Sequence, residues 1–475
     1  MTRVGAVVTE KSKLQEKGFS FFIPTLPLAT SISKKVSHVY LLSLAEFEPL
    51  HGTSFLINLP LNTPPEKFLE KLSQLDATFV VAVPVVEDWH FWTLLRRFQS
   101  LFDYVLIQTT QLEPNWTQRY MCLKYLAVVA NEHCEQLAMK GHEPDLLLFP
   151  ENIDPENVEK TRILARNISS QLRQQEYLNY FIDPLQPLTQ EMLLEVYETF
   201  EKDKSKYEAY DEAIDLAFAD LIHQTSHRPT ILVIGPGRGP LLAMAAKYRD
   251  KADVIAVERN PKCISKLKSD NSKLWDGKVC IYEGDVRSIS SSLGHIDIVI
   301  SELLGSFGCN EACPEILTGF KAAIMIPQSI TCFLRPIYCS LMDENIKRPY
   351  LLKSDQEFAV GAASSVFHFD FPGSNSLDQV WLANFDFHLP DVANALQGYF
   401  KADLYGHVSI SNLYVDASTY VCSSWYPMVF PIRPVESRIA VTMARRSVNT
   451  KLWYEWSVGG DIHNQDGGQY SISLA

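Results

Sequence analysis

A chain of 475 residues is too long for one ordinary core, so two or three domains are expected. Hydrophobic residues at 46% and charged residues at 21% give the balance of a soluble globular protein and exclude wholesale disorder. With 56 acidic against 43 basic side chains the net charge is −13, which speaks against nucleic acid held by its phosphates and suits a basic partner such as an Arg-rich protein tail.

No apolar run reaches the ~18 residues of a membrane span, and the opening MTRVGAVVTEKSKLQEKGF lacks the apolar stretch of a secretory leader. A membrane partner is therefore not expected. The nine cysteines are odd in number and scattered, which reads as reduced intracellular thiols. Only Cys309 and Cys313 sit close together, without a second Cys or His pair, so no metal site is expected. Asn115-Trp116-Thr117 and Asn167-Ile168-Ser169 match the glycosylation pattern, which would be silent in the cytosol.

Residues 1–186 mix short apolar runs with helical patterns. Phe79-Val80-Val81-Ala82-Val83, Tyr104-Val105-Leu106-Ile107 and Leu146-Leu147-Leu148-Phe149 read as buried strands. Between them Asp88 to Leu101 and Gln118 to Ala130 read as amphipathic stretches. Such alternation predicts parallel strands with helices outside them, in an open sheet or a closed barrel.

Residues 187–328 alternate again, with sharper punctuation. Ile231 to Ile234 is an apolar strand that ends in Gly235-Pro236-Gly237-Arg238-Gly239-Pro240, and a helix follows from Leu241. Val254 to Val257 runs into Glu258, Val279 to Tyr282 ends near Asp285, and Ile296 to Ile300 ends at Glu302. The carboxyl edge of an open parallel sheet is where ligands bind. From 329 to 475 the helical period fades into strand-like runs at Ile330 to Phe333, Ser365 to Phe371, Gly406 to Ser411, Ile439 to Met443 and Leu452 to Val458. That region is expected to be an antiparallel β-sandwich or β-barrel.

The glycine loop alone says little, because it departs from the dinucleotide fingerprint at Pro240. The set says more. Glu258, 23 residues after Gly235, is placed to bind two ribose hydroxyls, and Asp285 to accept from an adenine amino group. Two acidic strand ends suit an adenosine without phosphates, since a dinucleotide would put pyrophosphate at the helix amino end. S-adenosylmethionine is the expected cofactor; the bland alternative makes both acids loop caps.

Glu302 and Glu311 lie nine residues apart with Gly305 and Gly308 between them, which suits a hairpin folded over one target. A guanidinium is such a target. It keeps its proton at neutral pH, so paired carboxylates can only grip it and draw its charge toward two nitrogens. The third nitrogen is then free to attack a methyl in line. The bland alternative leaves two acids on a solvated turn.

Ser301-Glu302-Leu303-Leu304-Gly305-Ser306-Phe307, with Glu311 behind it, resembles the double-glutamate loop of the protein arginine methyltransferases. The nearest branch is that of protein arginine methyltransferase five. Asp183 to Leu188, Tyr197 to Asp203 with Lys206-Tyr207, Gly235 to Pro240, Ser424 to Pro427, Trp453 to Trp456 and Ile462 to Asn464 add to the resemblance, in the family's order. The resemblance implies an N-terminal TIM-like α/β barrel (1–186), a Rossmann-like S-adenosylmethionine domain (187–328) and a C-terminal β-barrel for substrate and dimer contacts (329–475). By position it implies cofactor contacts at Tyr197, Lys206, Tyr207, Gly235, Gly237, Glu258, Asp285 and Val286. Glu302 and Glu311 would be catalytic. Phe200 and Trp425 would sandwich the substrate arginine, with Leu303, Leu304, Gly305, Ser424 and Tyr426 along the peptide path.

Aromatic rings over a guanidinium stabilise the cation without adding a base. Met192, Val196, Tyr197 and Phe200 fall at helical spacing, which a plain core stripe would also explain. Asymmetric-product members of the family place methionine where Phe200 stands, so the symmetric product is implied. Four departures stand out: Pro236 for an expected alanine, Cys309 for an aspartate, Thr318-Gly319 for Asp-Gly, and a shortened run before Ile326-Pro327. The resemblance further implies a homodimer, a WD-repeat propeller partner, Arg-Gly-rich and histone-tail substrates, and a cytoplasmic and nuclear location. The competing readings are a monomethylating or asymmetric enzyme, a non-catalytic scaffold, and a nucleic-acid methyltransferase. The acidic charge and the lack of Asn-Pro-Pro-Tyr or Pro-Cys motifs oppose the last.

Overall fold

The computed structural model describes eight strands between residues 3 and 149 and, short gaps apart, residues 179–474. Two compact units are present: Met1–Leu178 with Asp355–Val360, and Asn179–Ser354 with Gly361–Ala475. The regions expected as second and third domains thus share one unit.

In the first unit the strands are β1 (Arg3–Val8), β2 (Phe21–Pro24), β3 (His38–Leu41), β4 (Ser54–Asn58), β5 (Phe79–Val83), β6 (Phe102–Ile107), β7 (Leu126–Val129) and β8 (Leu146–Phe149). Every pairing is parallel, in the order β2-β1-β8-β7-β6-β5-β4-β3. Among the described residues no ladder joins β2 to β3, so the sheet is given as this open order. The three expected strands correspond to β5, β6 and β8. Gln118 to Ala130 needs correction at its end, where Leu126–Val129 is a strand. A run of four apolar residues has no period that separates a buried strand from a buried helix. Asp88 to Leu101, the rest of Gln118 to Ala130, and both glycosylation patterns lie outside the described residues.

The second unit is built on β9 (Thr230–Ile234), β10 (Asp253–Glu258), β11 (Val279–Glu283), β12 (Ile298–Ser301) and β13 (Ile324–Ile326). They form one parallel sheet, ordered β11-β10-β9-β12-β13. Its inner strands β9 and β12 are buried, near-continuous apolar runs, whereas the edge strand β11 is largely exposed. The order reverses between β9 and β12, so the loops after these two strands flank a crevice at the carboxyl edge. Those loops hold Gly235–Pro240 and Glu302–Glu311.

Helices α1 (Leu194–Phe200) and α2 (Lys204–Gln224) precede the sheet; α3 (Pro240–Ala246), α4 (Pro261–Leu274), α5 (Val286–Ile289) and α6 (Cys313–Leu317) follow along the chain. Asp203 caps α2, and Tyr210, Ala213, Ile214, Ala217 and Leu221 make its buried stripe at a period near 3.6. Tyr405 and Tyr420 donate to Asp220 and Glu212 of α2, both at 2.9 Å, fastening it to the β region.

Past Ser329 two mostly antiparallel sheets face one another. The larger centres on Ser329–Cys339, Val392–Tyr405 and Met428–Glu436; the smaller joins Gln379–Phe385, Ile439–Val448, Lys451–Val458 and Asp461–His463. Rings meet between them, with Phe430 at 5.3 Å from Trp456 and 6.0 Å from Tyr454. Phe307, from the loop after β12, enters this layer and is fully buried. Its ring lies 5.3 Å from Phe430, 5.4 Å from Tyr454 and 6.0 Å from Phe367. The catalytic-loop candidate is therefore nailed into the β layers by one side chain. Phe307→Ala should cost about 3–5 kcal/mol, the range for emptying a buried phenylalanine site, visible as a lowered urea midpoint. An unchanged midpoint would show that the loop is not anchored there.

Candidate active site

The glycine loop is shaped by its neighbours. Gly235, Gly237 and Gly239 all have positive φ (61°, 55° and 111°), the region where a side chain is strained. A Cβ on Gly237 would stand 2.7 Å from the Tyr197 ring, so the middle glycine makes room for α1. Arg238 ties the loop to the same helix through Glu198 and Glu201. The Gly237 N–H donates to Glu258 Oε2 at 2.8 Å, and the Asn260 N–H to Oε1 at 2.7 Å. Burial pushes the Glu258 carboxyl up, against those backbone donors. Asn260 also donates to Met192 O at 3.1 Å and to the Tyr197 hydroxyl at 3.5 Å, which joins β10 to α1. Tyr197, Val196, Met192 and Phe200 are half-buried rather than a closed core stripe.

Asp285 caps α5, accepting the Arg287 N–H at 2.9 Å and pairing with its guanidinium at 2.6 Å. That hydrogen-bonded pair holds its carboxyl below the usual range. The cap expected of a bland loop acid is thus present; Val286 beside it is buried.

After β12 the chain makes a tight hairpin. Gly305 and Gly308 bridge one another, the Gly308 N–H reaching Gly305 O at 2.7 Å. Asn310 turns inward and accepts the Phe307 N–H at 2.7 Å, filling the space where a side chain on Gly305 would clash. From the β region Asn412 donates to Ser306 O at 2.8 Å, and the Trp425 indole to Leu304 O at 2.9 Å. Leu304 and Gly305 are buried, so Leu304 serves loop packing and its carbonyl anchors Trp425. Leu303 stays partly exposed.

Glu302 and Glu311 close the ends of this hairpin. Burial raises Glu302, against the Lys206 ammonium 3.4 Å from its Oε2 and the Leu304 N–H. Burial raises Glu311 further, with the Glu302 charge adding to it and Lys206 opposing. Two carboxylates close together in a dry site cannot both ionise freely without a cation. Lys206, 1% exposed, supplies one. Burial alone would lower it, but Glu302, Tyr207 and Asp203 hold it above the usual lysine value. Its Nζ lies 4.9 Å from the centroids of Tyr207 and Trp425 and 5.5 Å from that of Phe200. The rings expected to sandwich arginine already flank a cation.

One positioning residue escaped sequence reasoning as a site. Besides capping α2, Asp203 accepts the Ser424 N–H and hydroxyl, both at 2.7 Å, so the Phe200 corner and the Trp425 segment share one carboxylate. Its only local signal is an aspartate three residues before Lys206. Tyr426 is half-buried beside Lys353, 5.8 Å from ring to ammonium. His227, His295 and Asp297 are grouped with metal-ligand spacing at the other, amino end of the sheet. His227 and His295 reach the same Asp297 oxygen at 3.0 and 3.2 Å, and Asp297 in turn accepts the Thr230 N–H.

Fold and site define an α/β protein whose sheet opens, at its switch point, onto a paired-carboxylate hairpin and an aromatic cage. A family model described as PRMT5 arginine-N-methyltransferase matches residues 168–332, and one described as PRMT5 oligomerisation domain matches 329–472. The chain belongs to the PRMT5 family. It is 34% identical over 336 residues to protein arginine N-methyltransferase 5 of Oryza sativa subsp. indica, covering 63% of this chain and 51% of the relative. The Xenopus laevis protein of the same name is 30% identical (63% and 53%), and protein arginine N-methyltransferase skb1 of Schizosaccharomyces pombe 32% (62% and 53%). The chain thus spans about half the length of the curated relatives it matches. Among solved structures, Arabidopsis thaliana protein arginine methyltransferase 10 aligns with TM-score 0.45 at 15% identity, covering 60% of this chain and 98% of its own.

The carboxylates' burial has a measurable consequence. Folding raises the proton affinity of Glu311, so the folded chain keeps that proton to higher pH than the unfolded chain. The stability it contributes is full in acid and is lost as pH climbs from the ordinary carboxylate range through the folded value. Glu311→Gln removes that loss and should raise Tm at neutral pH, by about 2–4 °C for each kcal/mol regained, with little change in acid. Calorimetric scans at the two pH values check it, and a lowered Tm at neutral pH would contradict it.

Proposed function

We propose that this chain is a protein arginine N-methyltransferase that uses S-adenosylmethionine and proceeds to symmetric dimethylarginine. One observation carries the reading. At the switch point of the sheet, the Glu302–Glu311 hairpin meets a Phe200–Trp425 cage that already holds a cation. The donor set beside it fits the cofactor by its chemistry. Buried Glu258 suits a diol, Asp285 an aminopurine, Lys206 a carboxylate, and the aromatic rings a sulfonium. When bound, that cofactor supplies a methyl group on positively charged sulfur. Tyr197, Tyr207, Gly235, Gly237 and Val286 line the same edge and are assigned to it.

The chain's own residues would work by position and charge. Glu302 and Glu311 accept guanidinium N–H bonds and draw the positive charge toward two nitrogens, which leaves the third more nucleophilic. Phe200 and Trp425 fix the plane of the group. Trp425 is itself held to the hairpin through Leu304 O, so plane and carboxylates keep one register. Leu303, Ser424 and Tyr426 are assigned to the peptide path. Phe200, where asymmetric-product relatives of the resemblance carry methionine, favours the symmetric product. In the same reading the N-terminal strands close into a TIM-type barrel and residues 329–472 serve a homodimer, as the description of their family model suggests. Arg-Gly-rich RNA-processing proteins and histone tails are the proposed substrates, in cytoplasm and nucleus, with a WD-repeat propeller as candidate partner.

The test is mass spectrometry of an Arg-Gly-rich peptide incubated with the chain and S-adenosylmethionine, with fragmentation to separate the dimethyl isomers. Symmetric dimethylarginine is expected; monomethyl product alone would keep the reaction and refute the symmetric assignment. Because gripping the cation needs Glu311 ionised, the rate should rise with pH above the ordinary carboxylate range. Glu302→Gln and Glu311→Gln should each abolish turnover, by roughly 10²-fold or more, while cofactor binding survives. Normal turnover in either variant would sink the mechanism. Phe200→Met should let asymmetric product appear, and an exclusively symmetric product would count against that role.

A further inference from the structure

The most informative side chain at the site is one the reaction does not consume. Lys206 is almost fully buried, with its ammonium ringed by Phe200, Tyr207 and Trp425 at 4.9–5.5 Å and set 3.4 Å from Glu302 Oε2. All three ring distances lie within the roughly 6 Å reach of a cation–π contact. Rings on its flanks and a carboxylate ahead are what a substrate guanidinium would need from the same residues. We propose that Lys206 is an internal stand-in for the substrate cation, and that it makes arginine binding conditional on the cofactor's carboxylate drawing it away. The inference rests on the arginine methyltransferase reading for the identity of the ligands.

The physical case has three parts. A second cation entering the cage would face the ammonium at close range in a site of low dielectric, where like charges repel strongly. The two cations therefore exclude one another. Next, Lys206 can leave. It sits in the first turn of α2, fixed at its backbone by the Asp203 cap, but its four-carbon stem has several rotatable bonds. A first turn also carries partial positive charge, so an anion near that turn is favoured and the ammonium gains by meeting it. Finally, departure leaves Glu302 and Glu311 without the cation that offsets them, a state that calls for a guanidinium. The same swap that opens the cage thus creates the demand for substrate, and Lys206 acts as a positioning residue between two subsites.

The consequence is a binding order with reciprocal coupling. If the cage is open in only a small fraction of the free chains, apparent affinity falls by that fraction. Calorimetric titration of ethylguanidinium and of an Arg-Gly peptide into the full chain, with and without S-adenosylhomocysteine, measures it. In the wild-type chain, S-adenosylhomocysteine should raise affinity for either ligand about tenfold or more. Ethylguanidinium should raise affinity for S-adenosylhomocysteine by the same factor. Lys206→Met, of similar length and without the charge, should bind ethylguanidinium without S-adenosylhomocysteine at least tenfold tighter than wild type, and the coupling should fall to near one. Uncoupled wild-type binding, or no gain in the variant, overturns the proposal. Should Lys206→Met not fold, as judged by circular dichroism, the two wild-type titrations decide alone. A chain that methylates nothing yet shows the gain in Lys206→Met would keep the cage assignment and defeat the methyltransferase reading, so the two failures differ.

Discussion

The structure around the site depends on the hairpin that brings Glu302 and Glu311 within the field of one buried ammonium, that of Lys206. This hairpin carries acids that disfavour being ionised together, since burial and the Glu302 charge both raise Glu311. It is held shut from outside. Phe307 is driven between the two β-sheets, Asn412 and Trp425 grip two of its carbonyls, and Asn310 braces it from within. Burial of one phenylalanine and a handful of hydrogen bonds, each worth about 1 kcal/mol, must outweigh the repulsion. This explains why the parallel sheet and the β region form a single unit: the first positions the loop and the second clamps it.

The opposite wall of the crevice is assembled by a different device. Here the glycine loop and α1 are interlocked, since Tyr197 packs where Gly237 has no side chain and Arg238 reaches back to Glu198 and Glu201. Glu258 sits below, spanning the Gly237 and Asn260 N–H groups. Its two oxygens are thus already oriented by backbone, which is the kind of preorganisation that lets a carboxylate meet a diol without first finding its own rotamer. At the corner between α1 and α2, Asp203 links this wall to Ser424 and hence to Trp425. The cage is therefore shared between walls, and a shift of either changes the distance between its rings.

Much of this was legible in the sequence for a definite reason. Parallel strands buried on both faces are unbroken apolar runs, as β9 and β12 are, and β9 runs into Gly235 while β10 ends at Glu258 on the carboxyl edge. The hairpin was readable from its two glycines between two glutamates. The fold of β1 to β4 was not singled out, and Leu126–Val129 was taken for part of an amphipathic stretch, because runs of four to six apolar residues carry no usable period. The bracing residues were hidden more deeply. Asn412 lies 106 positions from the carbonyl it holds, and Asp203 is 221 from Ser424. A lone asparagine or a helix cap gives no local sign of a partner that distant. Lys206 was read as a cofactor contact by resemblance; its place inside the aromatic cage depends on three rings brought together only by folding.

Cys309, standing where the resemblance leads one to expect an aspartate, shows how a departure can be absorbed. Arg445 is fully buried beneath the hairpin; it donates to both oxygens of Glu315 at 2.8 Å and to the Cys309 carbonyl at 3.2 Å. Burial would push the Cys309 thiol up, but the Cys332 thiol at 3.5 Å, the Arg445 charge and the Tyr454 hydroxyl at 3.1 Å together bring it down to about 7. Glu315 pairs with the guanidinium at 2.8 Å, so the arginine keeps a carboxylate partner although Cys309 stands in place of the expected aspartate.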